Sequence, residues 1–207
     1  MKIGVMDYRA GNIRSVETAL RYLGADFIVS GEADVLKTCD KLIIPGDGEA
    51  RAAMGVLNGT GLADFVRDFF RAGRPILGIC IGCQIVMEHS EERDTPCLGL
   101  IPGGVVRFPA RPGLKVPHMG WNMVRHGGGH PVFRGVRDPV PCFFVHSYYP
   151  KPDHRPAGAS YTVAWTEYDG LEFASAVARD GLVALQFHPE KSAAPGLRMV
   201  ENFVRLL

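Results

Sequence analysis

The chain keeps changing its hydrophobic period through its first eighty residues, and that alternation limits its fold more than any other feature. Ile3 to Met6 is a short apolar run. From Asn12, apolar side chains at Ile13, Val16, Ala19, Leu20 and Leu23 hold one helical face until Gly24. Phe27 to Val29 and Leu42 to Ile44 read as strands two and three. Helical spacing returns at Ala53, Met54 and Leu57, and again at Leu62, Phe65, Val66, Phe69 and Phe70. Ala72-Gly73-Arg74-Pro75 stops that helix and leads into Ile76-Leu77. Short buried strands joined by helices predict an α/β fold with a central, mostly parallel sheet and helices on both faces.

The second half is richer in turns. Pro102-Gly103-Gly104, Arg111-Pro112-Gly113, Gly127-Gly128-Gly129 and Lys151-Pro152 separate short segments, which predicts additional mixed or antiparallel strands at Val105 to Phe108, Cys142 to Val145, Thr162 to Trp165, Ala174 to Ala178 and Val183 to Phe187. A last helix starts near Gly196. The 207 residues are read as one domain, 1–207, able to bury roughly 70 % of its unfolded surface without staples.

Charge excludes some partners. With 23 Lys+Arg against 22 Asp+Glu and no long run of either sign, nothing supports nucleic-acid binding. The start Met1-Lys2-Ile3-Gly4 is too soon interrupted by charge for a signal peptide, and no apolar stretch nears the roughly 18 residues of a membrane span. Five scattered cysteines suit free thiols in a reducing compartment. The expectation is a soluble, cytoplasmic protein away from any membrane.

One of those cysteines stands where chemistry is favoured. Cys80, within Gly78-Ile79-Cys80-Ile81-Gly82-Cys83-Gln84, ends a buried strand where a helix begins, so helix amides point at it and favour a thiolate. Gly78 and Gly82 are expected to leave room for a tight turn and for a substrate to reach the sulfur. A thiolate nucleophile needs a proton carrier, and seven histidines compete for that role. His89, His126, His130 and His154 lie in polar or turn-rich surroundings and read as surface residues. His118 and His146 read equally well as hydrogen-bonded structural histidines. His188 ends an apolar strand, precedes Pro189 and has Glu190 two residues on, so a carboxylate can orient its ring.

Cys80, His188 and Glu190 together resemble the triad-type class I glutamine amidotransferases. The similarity extends over Asp7-Tyr8-x-x-Gly11-Asn12, Gly99 to Phe108, Lys115-Val116-Pro117-His118-Met119-Gly120-Trp121-Asn122, Phe144-Val145-His146-Ser147-Tyr148 and Gln186 to Ser192. These segments are similar to the branch formed by the glutaminase subunits of imidazole glycerol phosphate synthase. The resemblance implies a flavodoxin-like glutaminase in which Cys80 attacks L-glutamine, His188 moves the proton and Glu190 orients His188. It implies oxyanion amides from Ile81 and from the Pro45-Gly46-Asp47-Gly48 loop, with Gly48 at the substrate. It also implies that Gln84, Glu92, Ser147 and Tyr148 hold the amino-acid end. No cofactor and no metal is implied. The implied partner is the cyclase subunit, a (β/α)8 barrel, in a heterodimer.

Arg9, Asp47 and Cys83 depart from the usual pattern, as do Cys142 and Phe143, which stand where tyrosines are common. Asp47 would oppose a developing oxyanion if it pointed inward, so its side chain is expected to face away. Cys142 and Phe143 are expected near the partner. Other readings stay open: a glutaminase serving pyridoxal phosphate synthase or a sugar-modifying synthase, or a thiol redox protein using Cys80 and Cys83, which at i and i+3 are expected to face similar directions.

Overall fold

The computed structural model describes residues 1–9, 12–152 and 160–207. Gly11 of the first motif and His154 lie outside them. Strand β1 (Ile3–Met6) is followed by α1 (Ile13–Tyr22), β2 (Phe27–Ser30), the one-turn α2 (Ala33–Leu36), β3 (Lys41–Ile44), α3 (Ala50–Gly59), α4 (Leu62–Arg71), β4 (Ile76–Ile79) and α5 (Ile81–Ile85). The later strands are β5 (Met87–Ser90), β6 (Thr95–Pro96), β7 (Ile101–Arg107), β8 (His118–Val124), β9 (Val140–His146), β10 (Tyr148–Pro152), β11 (Thr162–Tyr168), β12 (Leu171–Arg179) and β13 (Leu182–Leu185). Helix α6 (Ala193–Leu206) ends the chain.

The main sheet runs β11-β12-β13-β4-β3-β1-β2. Its five strands from β13 to β2 are parallel, and β12 and β11 add antiparallel to one edge. The parallel order β2-β1-β3-β4-β13 is the doubly wound arrangement of flavodoxin-like folds. β1, β3, β4 and β13 are buried at every position, which is why they read as unbroken apolar runs. One face packs Met54 and Leu57 of α3 with Phe65 and Phe69 of α4; the other packs Val16 and Leu20 of α1 with Met199 and Phe203 of α6. Lys41 is buried at the start of β3, where its ammonium donates to the carbonyls of Phe203 and Val204 at 2.9 and 2.8 Å and caps the end of α6.

Two smaller sheets lean on this frame: β10-β7-β5-β6 and the antiparallel pair β8-β9. The sequence patterns predict neither α2 nor β5, β6, β8 and β10. Pro102-Gly103-Gly104 and Lys151-Pro152, expected as separators, lie inside β7 and β10, which pair with each other. β10 is an edge strand, so Pro150 and Pro152 face no missing ladder partner on its free side.

Candidate active site

Cys80 leaves β4 with φ 52° and ψ −104°, a left-handed conformation that costs a side chain about 1–3 kcal/mol. The surroundings hold it there. Its N–H donates to Leu185 O at 2.8 Å, and its carbonyl accepts the first amides of α5, from Cys83 and Gln84. The glycines serve a different end from the one expected. A Cβ on Gly82 would stand 2.1 Å from the Ile44 carbonyl oxygen, and one on Gly46 would stand 2.4 Å from Ile79 O and 2.5 Å from Ile81 N. The room at Gly82 is therefore filled by the backbone of β3, and the elbow interlocks with the Pro45–Gly48 loop main chain to main chain. Gly78 likewise faces the Gly82 carbonyl.

His188 directly follows Phe187, three residues past the end of β13. Its N–H donates to Phe143 O at 2.9 Å, and its carbonyl accepts the Ser192 hydroxyl at 2.6 Å. Pro189 opens a short 3-10 turn that swings Glu190 beneath the ring, where Nδ1 and the Glu190 carboxylate meet at 2.8 Å. Both side chains are at most 2 % exposed. Nε2 has no ordinary hydrogen bond among the described residues, nor has Glu190 Oε2. Burial opposes charge on His188, but the sulfur of Cys80 and the Glu190 carboxylate outweigh it and push its pKa up to about 10. The three side chains can therefore act as nucleophile, proton donor and orienting carboxylate.

A cleft of about 250 Å³ opens beside Cys80. Gly48, Ile81, Gln84, Glu92, Ser147 and Tyr148 all line it, as do Asp47, Pro117, Val145 and His146. Gln84 is fixed through both amide hydrogens, to Tyr148 O at 2.8 Å and Gln186 Oε1 at 3.0 Å, which leaves its Oε1 as the acceptor. Glu92 spends Oε2 on the Ala50 N–H at 2.7 Å and keeps its other oxygen for a cation. Asp47 departs from expectation. Instead of facing away it lines the cleft, and its Oδ1 accepts the Gly48 N–H at 3.0 Å, so that amide is already engaged. Tyr8, from the Asp7-Tyr8 motif, is buried beneath the loop and donates its hydroxyl to Pro45 O.

Sequence reasoning gives Gln186 no role. It joins Gln84 to the nucleophile, with Nε2 3.9 Å from Cys80 Sγ. A buried amide at the end of an apolar strand was its signal in the sequence. Cys83 lies in the core on the opposite face of the sheet from Cys80, and burial pushes its thiol well up, so the two do not face alike. Cys142 is core as well, while the half-buried Phe143 lies edge-on to Trp121 at 6.1 Å and tilted against His188 at 6.5 Å. Of the histidines read as surface residues, His126 is buried and stacks on Phe133 at 4.4 Å. His130 accepts the Val132 N–H at the start of a 3-10 turn. His89 does lie at the surface, against Asp94.

The family described as glutamine amidotransferase class-I matches residues 4–207. A protein from Nitratidesulfovibrio vulgaris strain DP4, named imidazole glycerol phosphate synthase subunit HisH, is 42 % identical over 98 % of this chain and 95 % of its own length. Its namesake in Geobacillus thermodenitrificans is 43 % identical over 99 % and 96 %. Among solved structures, PurLQS from Thermotoga maritima superposes with a TM-score of 0.76 at 18 % identity, over 98 % of this chain and 96 % of that one. At that identity the likeness is one of fold.

Proposed function

The chain belongs to the class-I glutamine amidotransferase family, and from that premise we propose that Cys80, His188 and Glu190 carry its chemistry. The protein is a glutaminase of histidine biosynthesis: it hydrolyses L-glutamine and supplies ammonia to the cyclase subunit of imidazole glycerol phosphate synthase. The observation that carries the residue assignment is the strained elbow itself, with Cys80 at a 250 Å³ cleft and a buried His188–Glu190 pair beside it.

In this reading Cys80 Sγ attacks the carboxamide carbon of glutamine. The His188 imidazolium gives its Nε2 proton to the departing ammonia, leaving a glutamyl thioester. The neutral ring then takes a proton from water as it attacks the thioester, and glutamate leaves. Glu190 holds the ring through Nδ1 in both steps. The Ile81 N–H, which precedes the Cys83 and Gln84 amides that bond to Cys80 O, stabilises the oxyanion. Glu92 and the Gln84 carbonyl receive the substrate ammonium, with Ser147 and Tyr148 beside them.

The chain, read as one domain over 1–207, works in a cytoplasmic heterodimer with the barrel-shaped cyclase. Among the described residues no helix is long and apolar enough to cross a membrane. The outward face of β8 supports a docking surface: Met119, Trp121 and Met123 are 65, 56 and 44 % exposed on alternate residues. The Phe143 ring neighbours both His188, at 6.5 Å, and Trp121, at 6.1 Å, which links the catalytic side to this surface. Glutamate release, measured with and without the cyclase and its nucleotide substrate, tests the assignment. Wild type should turn over and Cys80→Ala should not; turnover by Cys80→Ala refutes it.

A further inference from the structure

Two buried histidines outside the triad form a chain of hydrogen bonds with a single consistent proton arrangement. His146 Nδ1 lies 2.8 Å from the Tyr148 carbonyl, so that nitrogen carries the hydrogen and Nε2 is bare. His118 Nδ1 lies 2.9 Å from that bare Nε2 and must donate to it. His118 Nε2 is then an acceptor, and it meets the Asn122 amide at 3.2 Å. Asn122 is oriented independently: its Oδ1 accepts the Met123 N–H at 2.7 Å, and its Nδ2 also donates to Glu167 O at 2.8 Å. Both rings are neutral, with burial pulling His118 down to about 4 and His146 to about 3. Phe144 and Tyr168 pack over His118, at 4.8 and 4.1 Å between ring centres.

The chain ends on the corner where the polypeptide leaves β9 and enters β10. Tyr148 O receives His146 from one side and Gln84 from the other. Ser147 and Tyr148 at this corner, and Gln84 facing it, all line the cleft, away from the scissile amide in the reading above. Resting on that reading, the geometry points to His118 and Asn122 as positioning residues that set the corner to receive the amino-acid end of glutamine. They touch no substrate and act through His146. Contacts to that end are made alike in ground and transition states, so their loss raises KM and spares kcat.

The test is steady-state glutaminase kinetics of the complete complex, beside thermal melts. His118→Phe keeps the aromatic packing but lacks both nitrogens, and a lost buried hydrogen bond predicts a glutamine KM raised about tenfold with kcat within about threefold. His118→Asn keeps a donor near the Nδ1 position and should restore KM to within about threefold of wild type. Asn122→Ala, at a half-buried position, should raise KM about threefold and covers the case of a misfolded His118→Phe. Unchanged KM in folded His118→Phe or in Asn122→Ala overturns the inference, as does a loss confined to kcat or a His118→Asn enzyme as impaired as His118→Phe. A wild-type complex that releases no glutamate would instead refute the glutaminase site itself.

Discussion

Replacing Gly82 by alanine tests the interlock between the elbow and β3 with the smallest possible change. The added Cβ would lie 2.1 Å from Ile44 O, where ordinary contact begins near 3.4 Å, a shortfall of about 1.3 Å against rigid backbone. No side chain can swing away to absorb it, so α5 and Cys80 must lift from the sheet by about 1 Å. Overpacking of this kind costs about 1–3 kcal/mol, equivalent to several degrees in the melting temperature of a chain this long. A displacement of about 1 Å at a nucleophile costs about 100-fold in rate. Gly55→Ala is the matched control: it lies within α3 with nothing inside 4 Å of a new Cβ, and it should gain about 0.5–1 kcal/mol with unchanged kinetics. Both proteins would be followed by circular-dichroism melts and glutamate release in the presence of the cyclase. If Gly82→Ala keeps wild-type kcat and melting temperature, the elbow has slack that the interlock denies.

Glu190→Gln should lower kcat/KM by about 10²–10⁴-fold while the protein stays folded, because the ring loses its orienting anion; a loss under threefold would contradict the pairing. Because His188 is raised from 6.5 to about 10 on folding, its stabilisation is complete below pH 6.5 and fades as pH climbs to 10. The melting-temperature gap between wild type and His188→Asn should therefore shrink over that range, and a gap that widens reverses the sign. Trp121→Ala should weaken cyclase binding by about 30-fold in titration calorimetry, the scale of an interface anchor, and leave the isolated chain's glutaminase rate alone.

Much of this molecule was legible in its sequence for physical reasons. β1, β3, β4 and β13 are buried on both faces and must be apolar throughout, so the parallel sheet announced itself. The triad residues sat at strand ends, where small or kinked neighbours mark turns. β8 was hidden because its pattern is inverted: Met119, Trp121 and Met123 face outward while His118 and Asn122 face inward. Gly103 and Gly104 concealed the first half of β7, whose second half was expected from Val105, since glycines that signal turns also fit a strand beside its neighbours. What no spacing rule could give was where individual side chains turn once the chain is folded. The Asp47 side chain folds onto the next amide, and Cys83, three residues from Cys80, ends on the far side of the sheet.

The sequence spacing of the contacts that build the cleft and its supporting corner has a kinetic consequence. Gln84 and Gln186 are 102 positions apart, Gln84 and Tyr148 are 64 apart, and the His118–His146 bond spans 28. Each contact closes a long loop whose entropy is lost before the bond repays it, so such contacts form late during refolding. The helices and the first parallel strands can consolidate while the cleft is still open. Regained catalysis should trail regained ellipticity after dilution from denaturant, which makes glutamate release a reporter of the final closure of the fold.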